Sequence, residues 1–170
     1  MTRIEINAAG GAFGTGQHAT TRAIMREIEC RWDVWKPVSV LDVGTGTGIF
    51  LIAAGHLGAR TLAGTEISDE LVTTAIENLE IAGFRGDILC QERPGFTQVF
   101  DLIIANILVP VLHDLMPDLA RLLASRGHLI LAGFITKERV PLVEAAKQAG
   151  LVVTGISDDS GWECVVLEKA

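Results

Sequence analysis

The chain has 170 residues, a net charge of −7, and 49% hydrophobic against 21% charged residues. That length supports a single domain with a core of its own, and the apolar surplus points to strands buried on both faces, as in a parallel sheet covered by helices. The acidic balance excludes a protein that grips phosphate backbones unaided, because such affinity comes from clustered Lys and Arg, and it suits a basic protein partner better.

In chain order, a short strand is expected over Arg3–Asn7, followed by a glycine-rich loop, Ala8–Ala19, with Gly10, Gly11, Gly14 and Gly16 and no helical period. A helix follows over Thr20–Arg31, with Thr20 or Thr21 as its N-cap and Ile24, Ile28 and Trp32 on one face. Pro37 stops it ahead of the strand Val38–Val43. The apolar run Ile49–Leu57 reads as a helix, Thr61–Glu66 as a strand and Asp69–Ala82 as a helix. Ser68 caps this last helix, Asp69 and Glu70 complement its dipole, and Ile67 is placed to staple on Val72. Strands are expected at Asp87–Gln91 and Val99–Asn106. Pro110 and Pro117 divide the next apolar stretch into a turn, Leu108–Leu115, and a helix, Pro117–Ala124. Gly127–Gly133 reads as a strand and Lys137–Ala149 as a helix in which Pro141 is tolerable only in the first turn. Leu151–Ile156 and Glu163–Glu168 flank the polar turn Ser157–Gly161 as a hairpin. Alternation of strands and helices implies right-handed βαβ crossovers, hence an α/β doubly wound, Rossmann-like sheet, mostly parallel and closed by a C-terminal antiparallel hairpin.

Cys30, Cys90 and Cys164 are widely spaced and lack a C-x-x-C pair, so they read as buried thiols in a reducing compartment, with neither a disulfide framework nor a metal site. Neither a signal peptide nor an apolar run long enough to span a membrane is present, and a cytoplasmic setting is expected.

The most informative segment is Val40-Leu41-Asp42-Val43-Gly44-Thr45-Gly46-Thr47-Gly48-Ile49: an apolar strand ends in an acid and opens into glycines at alternate positions. Glycine supplies the dihedrals of a tight strand-to-helix turn and removes the Cβ that would hold a ligand away from the backbone. The helix that follows turns its N-terminal amides toward that ligand. A dinucleotide fingerprint needs a glycine at the sixth position, where this sequence has Ile49 or Leu51, so a nicotinamide dehydrogenase is disfavoured. The remaining acidic-x-Gly-x-Gly-x-Gly pattern resembles motif I of the S-adenosylmethionine (SAM) dependent methyltransferases.

Around this turn, a ribose diol needs a carboxylate at the end of the second strand, where Glu66 stands with Asp69 and Glu70 nearby as alternatives. Asp42 is expected beneath the turn, holding loop amides or reaching the ammonium of a methionine part. For adenine the candidates are Gln91 or Glu92, at the end of the third strand. Asn106 ends the fourth strand at the switch point, where its amide either accepts from a substrate amine and aims the nitrogen lone pair at a methyl carbon or caps the following turn.

The loop Phe13-Gly14-Thr15-Gly16-Gln17-His18-Ala19-Thr20-Thr21, the glycine turn, Asn106-Ile107-Leu108 and Gly161-Trp162-Glu163 occur in an order similar to the ribosomal-protein methyltransferases that modify the eleventh large-subunit protein. The resemblance covers nearly the whole chain from Gly10 onward. It implies a class I methyltransferase fold, SAM as cofactor, and residues 8–21 as a loop covering it, with Thr15, Gly16, His18 and Thr21 over the methionine part and Asn106 at the point of methyl transfer. Catalytic roles thus fall to Asn106 and His18, and cofactor contacts to Thr15, Gly16, Thr21, Asp42, Gly44, Gly46, Gly48, Glu66, Gln91 and Asn106. Members usually carry an N-terminal substrate-recognition domain ahead of the loop, whereas this chain starts almost at it and resembles the catalytic domain alone. Where the family more often has Asp after the second strand, this chain has Glu66, which still suits a diol. N-methylation of a protein amine is the leading expectation. A small-molecule methyltransferase and a non-catalytic SAM-binding module are the alternatives.

Overall fold

In the computed structural model of the chain, residue 6 and residues 16–169 are described. The expected strand Arg3–Asn7 falls outside them except for Ile6, which packs as irregular backbone against the core. Seven strands form one sheet in the order β3-β2-β1-β4-β5-β7-β6. They are β1 (Ser39–Val43), β2 (Thr61–Glu66), β3 (Asp87–Cys90), β4 (Phe100–Asn106), β5 (Leu123–Ile135), β6 (Leu151–Asp159) and β7 (Trp162–Lys169). The first five pair in parallel, and β7 inserts antiparallel between β5 and β6. The helices are α1 (Ala19–Trp35), α2 (Ile49–His56), α3 (Asp69–Ile81), α4 (Val109–Leu122) and α5 (Thr136–Gln148).

Successive strand residues point to opposite faces, so each strand feeds two cores. Val40, Leu62, Leu102, Ile104 and Ile130 pack under α1, α2 and α3, against Ile24, Ile28 and Leu51 among others. Leu41, Ile103, Ala105, Leu129 and Leu131 pack under α4 and α5, against Leu112, Leu119 and Leu142. Both faces being covered is why the central strands read as nearly unbroken apolar runs. The chain winds outward from β1 to β2 and β3 on one side and to β4 and β5 on the other. A crevice therefore opens at the carboxyl ends of β1 and β4, where the strand order reverses.

Several elements differ from the expectations. Residues 109–122 form one helix: Pro110 sits in its first turn, and Pro117 lies inside without ending it. An interior proline costs about 3 kcal/mol. The apolar face of α4, with Leu112, Leu115, Met116, Leu119 and Leu122 all buried, contributes more than that, at roughly 1.5–3 kcal/mol per fully buried side chain. Pro141 likewise stands beyond the first turn of α5, whose start is held by Glu138 Oε2 accepting from Ile135 N at 3.1 Å. β5 begins at Leu123 directly from α4, four residues before Gly127, with Arg126 at φ 60°. The hairpin strands run on to Asp159 and from Trp162, joined by Ser160 (φ 56°) and Gly161 (φ 85°), the paired positive dihedrals of a type I′ turn. Ile67 does not staple on Val72; it is 72% exposed and faces the crevice. Cys30 and Cys90 are exposed and only Cys164 is buried, because the first two sit on α1 and on the edge strand β3 instead of a covered strand.

The start of α1 is tied to the far end of the sheet. Arg22 donates to both carboxylate oxygens of Asp159, at 2.9 and 3.1 Å, and Arg26 adds an ion pair at 3.2 Å. Hydrogen bonds from Arg22 and then Ser160 hold the Asp159 carboxyl at about 2. No helix among the described residues is long and apolar enough to cross a membrane.

Candidate functional site

The crevice is a cleft of about 680 Å³, within the usual size for a small-molecule site. The glycine turn after β1 stands in the middle of its lining, with the end of β2 on one side and Asn106, at the end of the neighbouring β4, on the other.

At the turn, Gly44, Gly46 and Gly48 all have positive φ, at 74°, 55° and 79°, which side-chain-bearing residues rarely adopt. Gly44 and Thr45 donate their amides to Thr65 O at 2.8 and 2.9 Å, which bends the chain back over β2. Gly44 and Gly46 line the cleft, whereas Gly48 does not. A Cβ at Gly48 would meet Ala75 at 3.4–3.5 Å, so this glycine lets α2 pack closely on α3. Asn78 of α3 secures the same loop, its Nδ2 donating to Thr47 O at 2.9 Å. Gly16, at φ 80°, lies against Ile49 and does not line the cleft, and Thr15 is outside the described residues, as are positions 8–14 of the covering loop.

Asp42 is 1% exposed and sits beneath the turn without lining the cleft. It holds a side chain and not the loop amides: Oδ2 accepts from the Thr45 hydroxyl at 2.8 Å, while Oδ1 is buried with no partner. Burial pushes its carboxyl up to about 7; the Thr45 bond opposes this and the nearby Glu66 charge adds to it.

Glu66 lines the cleft from the end of β2. Oε2 accepts from Gly46 N at 3.0 Å, and Oε1 accepts from Ile67 N at 2.8 Å and Ser68 N at 3.4 Å. The carboxylate thus clamps the glycine turn to the start of α3, and since each of its oxygens carries two lone pairs, Oε2 retains capacity for a ligand hydroxyl. Asp69 and Glu70, the alternatives to it, do not line the cleft. Gln91 and Glu92 both do, and Gln91 Nε2 is buried without a hydrogen-bond partner.

On the β4 side of the turn stand Asn106 and, also lining the cleft, His18, Thr20, Thr21 and Trp162. His18, not Thr20 or Thr21, is the N-cap of α1: its backbone is extended and its ring Nδ1 accepts from Thr20 N at 3.3 Å. That frees both threonines, already helical and 1% exposed, to face the site. Asn106 Nδ2 donates to Thr20 Oγ1 at 3.1 Å, and Thr20 Oγ1 lies 2.8 Å from His18 Nδ1. The His18 ring meets Trp162 edge-on, with centroids 5.2 Å apart. Sequence reasoning read Thr20 only as a candidate N-cap and Gly133 only as the end of a strand, and neither as a site residue. A Cβ at Gly133 (φ 101°) would come within 2.6 Å of Ile107 O, so this glycine lets the end of β5 underlie the turn after Asn106. On the other side of that turn, a Cβ at Gly44 would come within 2.4 Å of Ile107 Cγ2. Gly133→Ala is therefore expected to destabilise the fold by about 1–3 kcal/mol through strain and overpacking, read as a lower urea midpoint at unchanged slope.

The mouth of the cleft is apolar at Ile67, Leu108 and Val111, all exposed, and polar at Glu92 and Asp114. Among the described residues, no group of three or more His, Cys, Asp or Glu converges as metal ligands would. The arrangement sets the Glu66 carboxylate and the backbone amides of the glycine turn next to one oriented side-chain amide, which suits a polar, positively charged ligand laid across the strand ends beside a second reactant.

Comparison with known proteins identifies relatives in sequence and in fold. The family model described as Ribosomal protein L11 methyltransferase (PrmA) matches residues 2–170. The chain is 40% identical over 157 residues to the ribosomal protein L11 methyltransferase of Geobacter sulfurreducens, spanning 92% of this chain and 52% of that protein. It is 45% identical over 140 residues to the one of Lactobacillus delbrueckii subsp. bulgaricus, spanning 81% and 43%. The chain thus spans about half the length of the curated relatives it matches. Among solved structures, a ribosomal protein L11 methylase from Lactobacillus delbrueckii subsp. bulgaricus superposes with a TM-score of 0.83 at 34% identity, covering 91% of this chain and 81% of that one. The SAM-bound amino pentose methyltransferase CalS10 of Micromonospora echinaspora shares the fold, with a TM-score of 0.70 at 15% identity over 91% of this chain and 93% of that one. On the match across residues 2–170 and these identities, the chain belongs to the ribosomal protein L11 methyltransferase family.

Proposed function

We propose that this chain binds SAM in the cleft and transfers its methyl group to an amine nitrogen, with ribosomal protein L11 as acceptor. The observation that carries the reading is the cleft itself: it joins the glycine turn, Glu66 and Asn106 in one chamber at the switch point of a chain from this family. A ribosomal acceptor places the reaction in the cytoplasm, and the net charge of −7 complements a basic partner.

The residues present fit the cofactor. Asp42 Oδ1, buried and unpartnered beneath the turn, is compensated by a cationic group bound above it. Glu66 Oε2 accepts from the ribose diol, and the unpartnered Gln91 Nε2 donates to the adenine. Gly44 and Gly46 admit the ligand against bare backbone, and His18 and Thr21 face the methionine part from the start of α1. When bound, SAM supplies a methyl group whose C–S bond breaks as the acceptor nitrogen's lone pair forms the new N–C bond, the electron pair returning to sulfur. The task of the chain is then to hold a neutral amine in line, with Asn106 Oδ1 accepting an N–H so that the lone pair stays free, and to shield the site from water under α1 and Trp162.

Calorimetry with SAM and its demethylated product, followed by tritiated-methyl transfer into purified L11, tests the reading; absence of SAM binding, or label passing to small molecules and not to L11, overturns it. In the same assay Glu66→Gln is expected to weaken SAM binding about tenfold, the loss of a charge-assisted bond, and Glu66→Ala more, because the Gly46 clamp goes with it. Unchanged affinity in both would move the ribose contact elsewhere.

A further inference from the structure

Thr20 stands between the two side chains to which the site assigns the reaction, and one backbone group decides the direction of every bond in the set. The N–H of Thr20 donates to His18 Nδ1 at 3.3 Å as the helix cap. An N–H can only donate, so Nδ1 carries its lone pair and His18 holds its proton on Nε2. The Thr20 hydroxyl, 2.8 Å from that same lone pair, must then spend its single proton on Nδ1. Its oxygen is left as an acceptor, and the group that meets it at 3.1 Å is the donor Asn106 Nδ2. The series therefore runs one way, from the Asn106 amide through the Thr20 hydroxyl to His18, and it turns the amide so that Oδ1 is the atom left for a ligand in the cleft. Thr20 is 1% exposed, which keeps bulk water from competing for its hydroxyl.

The direction has a chemical consequence. An amine about to attack a methyl carbon must keep its lone pair free. A carbonyl oxygen accepts one of its N–H groups and leaves the lone pair alone, whereas an amide turned the other way presents N–H donors that hydrogen-bond to that lone pair and occupy it. We propose that Thr20 is a positioning residue for the transfer: its hydroxyl carries the polarity of the α1 cap to Asn106 and points the Asn106 carbonyl oxygen at the acceptor amine. The acceptor amine rests on the function proposed above; the bond polarity does not.

Nitrogen NMR on the labelled chain separates the two. In the wild type, His18 is expected to show an unprotonated Nδ1 and a protonated Nε2, and one Asn106 side-chain amide proton is expected to exchange slowly with water. Thr20→Val keeps the shape and removes the hydroxyl. It should erase the slow Asn106 proton and lower kcat for L11 methylation about tenfold, the usual worth of one hydrogen bond, with SAM affinity changed less than about twofold. Thr20→Ser should restore both signals and rate. Should Thr20→Val fail to fold, Thr20→Ala supplies the same comparison. A protonated Nδ1 in the wild type, an Asn106 amide unmoved in the hydroxyl-free variant, or equal kcat in variant and wild type overturns the proposal. A wild-type chain that shows the expected NMR signature and never methylates L11 retains the bond polarity and overturns the functional reading instead.

Discussion

Asn106→Ala should lower the rate of methyl transfer about a hundredfold while SAM affinity stays within about twofold of the wild type. The asymmetry follows from where the side chain stands. Asn106 ends β4 beside the glycine turn, with β1 between it and Glu66, and its bonding is to Thr20, not to the residues that would hold the nucleoside. The contact it makes with the acceptor strengthens as the amine approaches the methyl carbon, and an interaction realised chiefly in the transition state shows in turnover, not in ground-state binding. Misplacing a reacting atom by about an ångström costs on the order of a hundredfold, which sets the size. Single-turnover transfer to L11 and calorimetry with SAM measure the two quantities separately. Equal single-turnover rates would make Asn106 a structural end to β4, and the nitrogen-acceptor assignment would lose its main support.

The parts of this molecule that could be read from the chain are those specified over short stretches. The strand-acid-glycine turn, the positive dihedrals at Gly44, Gly46 and Gly48, the Ser68 cap and the Glu66 carboxylate all depend on neighbours within a few residues or on one βα step. The parallel sheet followed from the alternation of elements, and the hairpin from a polar turn. What stayed hidden depends on residues distant in sequence. Thr20 meets Asn106 across 86 positions, and Arg22 meets Asp159 across 137, so neither partner marks the other locally. His18 as an N-cap was missed because the usual caps are Ser, Thr, Asp and Asn, and two threonines stood beside it. The prolines misled in the opposite sense: Pro117 argues locally for a break, and the burial of the α4 face against the sheet overrides it. Gly133 carried no motif at all. Its meaning is a close approach to Ile107 that only the packed sheet creates, although a glycine at the end of a strand on the same side as the glycine turn was a signal available to read.

Replacing Asp42 with Asn should flatten the pH dependence of stability between about pH 4 and pH 7 and leave the variant more stable than the wild type at pH 8. Burial raises the folded-state carboxyl from its ordinary 3.8 to about 7, so the chain prefers this group neutral. The contribution is fully present below pH 4, where the carboxyl is protonated in both states, and is lost as pH rises through about 7, because the unfolded chain ionises there at no cost and the folded one does not. At about 1.4 kcal/mol per pKa unit, the loss is about 4 kcal/mol, some three orders of magnitude in the folding equilibrium. Asn stays neutral throughout and can still accept from the Thr45 hydroxyl, so the variant keeps the local bond and sheds the ionisation penalty. Urea denaturation of both proteins from pH 4 to pH 8 measures the difference directly; parallel curves would show that Asp42 ionises freely in the folded chain. The wild-type residue has a compensating use in the proposed function. A cation bound above the turn favours the ionised carboxyl, so SAM binding to the wild type near pH 7 should release a proton, visible as a dependence of the calorimetric heat on the ionisation enthalpy of the buffer. In Asp42→Asn that dependence should vanish along with part of the affinity. A buried acid that costs stability at neutral pH and recovers it only when a cationic ligand arrives is the expected behaviour of a site arranged around its cofactor.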